Sequence, residues 1–185
     1  LGGSGDDALV VMPGEVLRFG TDGGLRGRYP TGFPPSAVTM IPGQSPKLVL
    51  GFSEGSVEVR AGHQEDVISR FLEGTFAAPV VELKPGPAGT ILVGFGDGHL
   101  GLWDTETGVR LASDRAMGEI ASILHRDGTA YVITSQGDHL SWDLSVFAQD
   151  RCALLREIWA FVPVVWDRGR AVSRPPPADH ACQRQ

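Results

Sequence analysis

The sequence has only two cysteines, Cys152 and Cys182, and it has no long apolar run. A disulfide scaffold would need more cysteines in a shorter chain, so we expect two reduced thiols in a cytoplasmic protein. No apolar stretch approaches the roughly 20 residues of a membrane span, which argues against a membrane protein. The first seven residues, LGGSGDD, lack the basic and apolar regions of a signal peptide. We interpret residues 1–6 as a linker or a trimmed stump, and the chain as the C-terminal part of a larger protein.

Positive charge is also scarce, with 16 Lys and Arg against 22 Asp and Glu and a formal net charge of −6. The basic residues are scattered, so we expect no nucleic-acid partner. Turn-forming residues, in contrast, are abundant. The 25 glycines and 13 prolines punctuate short apolar runs instead of clustering. This composition is typical of an all-β protein with many turns.

A strand–turn–strand unit recurs four times, at residues 8–23, 48–62, 91–108 and 130–144. The turn glycines are Gly14, Gly55, Gly98 and Gly137, at intervals of 41, 43 and 39 residues. Further short apolar segments precede and follow the hairpins, which gives about four strands per repeat. One such sheet cannot bury both faces alone, whereas radially stacked sheets can, so the pattern predicts a β-propeller. The predicted blades are residues 7–34, 37–78, 79–119 and 120–150.

The third unit, GFGDGHLGLWDTETG at 94–108, resembles the WD40 family through Trp103-Asp104 and the Thr-Gly pair that follows. The fourth unit repeats the pair as Trp142-Asp143. The resemblance implies a WD40-type propeller, in which the turn residue Asp97 and Trp103 would join a hydrogen-bonded network. It also implies about seven blades, so four would be a partial ring. Preceding blades, a second chain or a closed four-bladed ring would each satisfy this requirement.

The pattern of strand–turn–strand repeats ends after Asp143. Residues 150–161 predict a helix with Asp150 as its N-cap, ended by Pro163, and residues 164–172 predict a hairpin. We expect residues 151–174 to form a cap on the propeller, with the alternative that the helix docks a partner. Residues 175–185 are predicted to be a Pro-rich mobile tail. The expected buried residues of the cap are Leu155, Ile158, Trp159, Phe161 and Trp166.

Two patterns could carry chemistry. Residues 96–101 spell GxGxxG, but a dinucleotide site needs a helix after the glycines and a strand is predicted there. Polar residues at the hairpin tips could form a metal or acid–base site, although such residues are the default at hairpin tips. We therefore expect no catalytic residue, cofactor or metal. The predicted function is a non-enzymatic interaction or sensor module, and the alternative is an enzyme or ligand-binding propeller with a site at this face. The expected contact residues, which suit a basic or mixed-charge protein partner, are Glu54, Asp97, His99, Asp138 and His139.

Overall fold

The computed structural model describes residues 2–4, 7–62, 66–72, 78–167, 169–175 and 181–183. The chain divides into two compact units, Leu1–Asp143 and Leu144–Gln185. The first unit consists of antiparallel sheets, and the second contains one helix and a hairpin. This architecture agrees with the all-β class predicted from the sequence.

Four sheets make up the first unit, and in each the strands follow one another in chain order. Sheet 1 contains β1 (Gly2–Ser4), β2 (Asp7–Met12), β3 (Glu15–Phe19) and β4 (Leu25–Pro30). Sheet 2 contains β5 (Ala37–Ile41), β6 (Lys47–Gly51), β7 (Ser56–Ala61) and β8 (Val67–Leu72). Sheet 3 contains β9 (Val80–Pro85), β10 (Thr90–Phe95), β11 (His99–Asp104) and β12 (Arg110–Arg115). Sheet 4 contains β13 (Ile120–Arg126), β14 (Thr129–Thr134) and β15 (His139–Asp143).

The glycine-centred hairpins predicted from the sequence are all present. Each joins the second and third strands of a sheet, and the four turn glycines have positive φ between 83° and 88°. Only glycine adopts this conformation without steric cost, which explains the recurrence of glycine at these four positions. The GxGxxG stretch at 96–101 is one of these hairpins, and strand β11 follows it instead of a helix.

Successive sheets pack face to face. We call the face of a sheet that lies toward the next sheet its front face, and the opposite one its back face. The front face of sheet 1 and the back face of sheet 2 share a cluster that includes Leu9, Val16, Leu48 and Leu50. The front face of sheet 2 and the back face of sheet 3 share a second and larger cluster. Its fully buried members include Val49, Val57, Val59, Ile91 and Val93.

The first strands of successive sheets also meet. Contacts run from β1 to β5, from β5 to β9 and from β9 to β13. Gly94 on the front face of sheet 3 allows this approach, because a Cβ there would lie 2.8 Å from Cγ2 of Ile120 in β13. Among the strands that the structure describes, each sheet makes extensive contacts with the next sheet in the chain. No contact of this extent joins the described strands of sheet 4 to those of sheet 1.

The second unit begins directly after β15. Helix α1 (Arg151–Phe161) starts as predicted, because the side chain of Asp150 accepts hydrogen bonds from the backbone N–H groups of Cys152 and Ala153. Strands β16 (Val164–Asp167) and β17 (Arg170–Ser173) form the predicted hairpin. A short 3-10 turn, Ala181–Gln183, contacts α1.

Three expectations about the ends of the chain are wrong. Residues 1–6 are not simply a linker, because Gly2–Ser4 pair with β2 as a strand. Cys152 and Cys182 are not reduced, since they form a disulfide across 30 residues. The tail is anchored at this point, because Cys182 is 4% exposed and its carbonyl accepts a hydrogen bond from Arg156. Residues 176–180 of the predicted mobile tail lie outside the described part of the chain.

Candidate functional site

The hairpin tips and the loops between sheets form a continuous surface, which we call the tip surface. Each connecting loop is hydrogen-bonded to the tip on either side of it. Between sheets 3 and 4, Ala116 N–H donates to the carbonyl of Gly98 at 3.0 Å, and Ser135 N–H donates to the carbonyl of Glu119 at 2.9 Å. Equivalent bonds hold the loops between sheets 1 and 2 and between sheets 2 and 3: Thr31 to Gly14, Ser36 to Gly51, Val80 to Phe52 and Gly96 to Pro79.

Asp97 and His99 form a compact pair at the tip of sheet 3. Their side chains are 2.7 Å apart, from Oδ2 of Asp97 to Nδ1 of His99, and the backbone N–H of His99 donates to Oδ1 of Asp97. Partial burial raises the pKa of Asp97, but the hydrogen bonds from His99 and the attraction of His99 and Arg115 outweigh this effect. The net result is a lowered pKa for Asp97, so its carboxylate stays ionised in neutral solution.

Asp138 lies at the neighbouring tip, in sheet 4. Its Oδ2 accepts a hydrogen bond of 3.0 Å from the backbone N–H of Met117, in the loop that also contacts the tip of sheet 3. The structure thereby brings Asp97, His99 and Asp138 to either side of the same short loop. His139, the next residue, has an exposed side chain.

Glu54 occupies the tip of sheet 2. Its Oε1 accepts a hydrogen bond of 2.5 Å from the hydroxyl of Ser56, and the residue is exposed. All five residues of the predicted contact face therefore lie at hairpin tips. Each of the three acidic side chains is held by a partner in its own tip or in the adjacent loop.

Two large apolar side chains on the tip surface were missed by the sequence analysis. Phe33 and Met117 are each 75% exposed, in the loops that follow sheets 1 and 3. A signal was available for both, because Phe33 lies in the stretch TGFPP and Met117 in the stretch AMG. An apolar residue between turn-forming residues has no strand on which to reach the core. Exposed aromatic and methionine side chains are common anchors of protein interfaces.

The Trp-Asp pair of the third repeat takes part in the packing and hydrogen bonding of sheet 3. Trp103 is 2% exposed, stacks on Phe71 at 5.2 Å and meets the ring of Phe95 edge-on at 6.0 Å. Asp104 accepts three hydrogen bonds, from the backbone of Glu106 and from the backbone and hydroxyl of Thr107. Burial raises the pKa of Asp104, but the hydrogen bonds from Thr107 and Glu106 and the attraction of Lys47 together outweigh this effect, so the pKa is lowered. The partner of Asp97 is His99. The Gly62-His63 pair precedes the third unit, and His63 lies outside the described residues.

In the fourth unit, the equivalent pair Trp142-Asp143 ends β15, and the Trp142 side chain is half-buried. Within the described ranges, no group of three or more His, Cys, Asp or Glu side chains is arranged to hold a metal ion.

An apolar groove lies along the helix of the second unit. It has a volume of about 290 Å³. Ile158 is 44% exposed and Phe161 is 81% exposed, so the expectation that both side chains are buried is wrong. Trp159 and Leu155 are half-buried, and the indole N–H of Trp159 donates to the carbonyl of Val164. The side chain of Trp166 lies outside the described part. The residues lining the groove are Val146, Gln149, Leu154, Glu157, Ile158, Phe161 and Val162.

Comparison with known proteins identifies the class of fold. The computationally designed Ika4 protein matches with a TM-score of 0.61 and 17% identity, over 78% of this chain and 89% of that one. The designed Ika8 protein matches with a TM-score of 0.59 and 16% identity, over 76% of this chain and 43% of the other. BamB from Moraxella catarrhalis matches with a TM-score of 0.59 and 18% identity, over 78% of this chain and 46% of BamB.

These neighbours include designed propeller proteins and a BamB β-propeller, so the fold of this chain is all-β and propeller-like. The chain spans less than half the length of Ika8 and BamB. No protein-family model matches the sequence, and no curated protein does either. Across the described residues, no helix has the length and apolar character needed to cross a membrane.

Proposed function

We propose that the chain is a non-enzymatic interaction module of WD40-like type, which binds a protein partner through the tip surface. The observation that carries this proposal is the combination of Phe33 and Met117, each 75% exposed, with acidic side chains on the same surface. Apolar anchors supply most of the free energy of binding at protein interfaces, and surrounding charges select the partner. With Glu54, Asp97 and Asp138 on this surface, the partner is basic or of mixed charge.

The hydrogen bonding of the acidic groups supports binding over catalysis. Asp97 is engaged by His99, Asp138 by the backbone of Met117, and Glu54 by Ser56. Each carboxylate therefore stabilises the local tip or loop. General acid–base or nucleophilic chemistry needs several groups that converge on one reacting atom, and these three are turned to local partners. A rigid sheet scaffold that presents such tips is suited to recognition.

Binding can be tested without a known partner by selecting peptides from a phage-displayed random library on the purified chain. We expect enriched peptides that combine an aromatic or aliphatic residue with Lys or Arg. The charge reversals Asp97→Lys and Asp138→Lys should abolish the binding of these peptides. Asp66→Lys is the matched control, because Asp66 is an exposed acidic residue in the loops at the opposite ends of the strands. Equal binding by the reversals and the control would refute the site.

A second candidate function rests on the Asp97–His99 pair. A carboxylate that holds a histidine ring by one nitrogen leaves the other nitrogen available for acid–base chemistry. The alternative is therefore an enzyme or ligand-binding propeller with a polar site at the tips. It predicts hydrolase or transferase turnover that His99→Ala or His139→Ala removes. Turnover that survives both substitutions would eliminate this alternative.

The disulfide bears on the compartment in which the module works. Disulfides form and persist in oxidising environments and are rare in the cytosol. The Cys152–Cys182 bond therefore favours an oxidising compartment over the cytoplasmic location that the cysteine count suggests. Alkylation with a mass-tagged maleimide on protein from the native source, before and after reduction, distinguishes the two. Two tags added without reduction would favour the cytoplasm.

A further inference from the structure

Two exposed apolar side chains mark the ends of a row on the tip surface. Phe33 lies in the loop from sheet 1 to sheet 2, and Met117 lies in the loop from sheet 3 to sheet 4. Each loop runs from the last strand of one sheet to the first strand of the next, whereas each hairpin joins the two middle strands. The hairpin tips of sheets 2 and 3 therefore lie between the two apolar residues.

The loop that carries Phe33 is tied down at both ends. The backbone N–H groups of Thr31 and Ser36 each donate a hydrogen bond of 2.8 Å to a carbonyl at the tip end of a sheet, in sheet 1 and sheet 2 respectively. Pro34 and Pro35 directly follow Phe33, and the proline ring fixes φ at both positions. A side chain whose backbone is already ordered loses less conformational entropy when a partner binds.

The loop that carries Met117 is tied down in the same way. The N–H of Met117 donates to Oδ2 of Asp138 at 3.0 Å, and the N–H of Ala116 donates to the carbonyl of Gly98 at 3.0 Å. Ala116 is 6% exposed, whereas Met117 is 75% exposed. The loop is therefore anchored to the tips on both sides while its one large apolar side chain stays in solvent.

The surface between the two apolar residues is acidic. Glu54 at the tip of sheet 2 is exposed, and the side chain of Asp97 at the tip of sheet 3 is 31% exposed. The two turn sequences, FSEGS at 52–56 and FGDGH at 95–99, contain neither lysine nor arginine. A partner that spans the row therefore has to place basic side chains over these tips.

The packing of the sheets sets the length of the row. Sheets that pack face to face lie about 10 Å apart, so two such steps place Phe33 and Met117 roughly 20 Å from each other. An extended chain advances about 3.3 Å per residue and covers this distance in about six residues. Alternate side chains of an extended chain lie on one face, so its first, third, fifth and seventh side chains would all face the row.

We propose that the tip surface binds one extended segment of about seven residues in a partner protein, with apolar side chains at the first and seventh positions and Lys or Arg at the third and fifth. The apolar ends contact Phe33 and Met117, and the basic side chains face Glu54 and Asp97. This inference rests on the proposed function and gives its partner a sequence pattern. A helix fits less well, because helical partners lie in a continuous apolar groove and acidic tips separate these two anchors.

A series of synthetic peptides tests the spacing. Each peptide has tryptophan at one end, leucine at the other and two lysines between them in a serine background, and only the interval between tryptophan and leucine changes. Fluorescence anisotropy of the labelled peptides measures the dissociation constant. We expect the tightest binding at an interval of about six residues. At intervals of about three and about ten residues, the dissociation constant should be at least about tenfold larger, because only one apolar end then reaches its anchor.

Anchor variants show whether one peptide binds both ends of the row at once. Phe33→Ala should weaken binding of the best peptide, and replacement of one of its two apolar ends by serine should then cause no further loss. Met117→Ala should have the same effect for the opposite end. Leu111→Ala is the control, since Leu111 is 41% exposed near the end of β12 that lies away from the tips. Circular dichroism establishes that each variant is folded.

The outcomes separate this inference from the proposed function. Equal binding at all intervals would overturn the extended segment, and so would a maximum near thirteen residues, which is about the helical spacing for this distance. Absence of binding throughout the series would overturn it as well. In each case the proposed function stands if Asp97→Lys abolishes the binding of phage-selected peptides. Selected peptides that bind the charge reversals as they bind the wild type would refute the tip surface and this inference together.

Discussion

The packing of Trp103 over Gly101 leads to a quantitative prediction. Both residues belong to β11, and a Cβ at Gly101 would overlap the ring atoms Cη2 and Cζ3 of Trp103. The ring cannot move aside freely, because it is 2% exposed between Phe71 and Phe95. Gly101→Ala should therefore lower the free energy of unfolding by about 1–3 kcal/mol, the usual cost of overpacking.

The same substitution should have the opposite effect once the ring is removed. Alanine is favoured over glycine by about 0.5–1 kcal/mol within a strand. In the Trp103→Ala background, which by itself costs about 3–5 kcal/mol, Gly101→Ala should therefore be neutral or stabilising. The coupling between the two positions would then be about 1–4 kcal/mol, in a range that double-mutant cycles resolve.

Urea unfolding followed by circular dichroism measures all four proteins of the cycle. A reducing agent is left out, so that the disulfide is constant. If Gly101→Ala destabilises the protein equally with and without the tryptophan ring, the ring does not lie over Gly101. The reasoning about the Trp-Asp strand would then be refuted.

Three further predictions follow from other regions. The pKa of Asp97 is lowered in the folded state, so the stability that the ionised carboxylate contributes is complete above its ordinary pKa of 3.8 and is lost as the pH falls through the folded value. In urea titrations, the Asp97→Asn variant should therefore lose less stability than the wild type between neutral and acid pH. Equal losses would contradict the pKa shift. The Cys152–Cys182 bond closes a loop of 30 residues, so its reduction should lower the free energy of unfolding of the second unit by about 3–4 kcal/mol. Hydrogen exchange measures this as faster exchange of the amides in α1, and unchanged exchange would contradict the prediction. Deletion of residues 151–185 should lower the thermal midpoint of the sheets if these residues are a cap, and an unchanged midpoint with lost partner binding would identify the helix as a docking element.

Local features of the fold were predictable from the sequence. The four hairpins follow from glycines at positions that need positive φ, and helix α1 follows from Asp150 and the apolar spacing after it. The Gly2–Ser4 strand was missed because glycine and serine carry no apolar alternation. Its formation depends on pairing with β2, which is a tertiary effect.

Other features depended on the position of residues in the assembled unit. The alternation along β14 is visible in the sequence, but which of its two faces is buried is not: Tyr131 and Ile133 are exposed, whereas Ala130 and Val132 are buried. The pairing of two cysteines 30 residues apart is likewise a matter of tertiary structure. The location of Glu54, Asp97 and Asp138 at hairpin tips was predictable, because each lies next to a turn glycine in the sequence. Phe33 and Met117 have no periodic signature, so the turn-rich residues around them were the one signal that marked them.

The most direct test of the interaction function is a calorimetric titration of the Phe33→Ala/Met117→Ala double variant with a peptide selected on the wild-type chain. Each side chain is 75% exposed, so truncation should leave the fold intact. Anchors of this kind contribute about 2 kcal/mol each, so we predict a loss of affinity of several hundredfold or more. An unchanged dissociation constant would contradict the claim that the tip surface is where the partner binds.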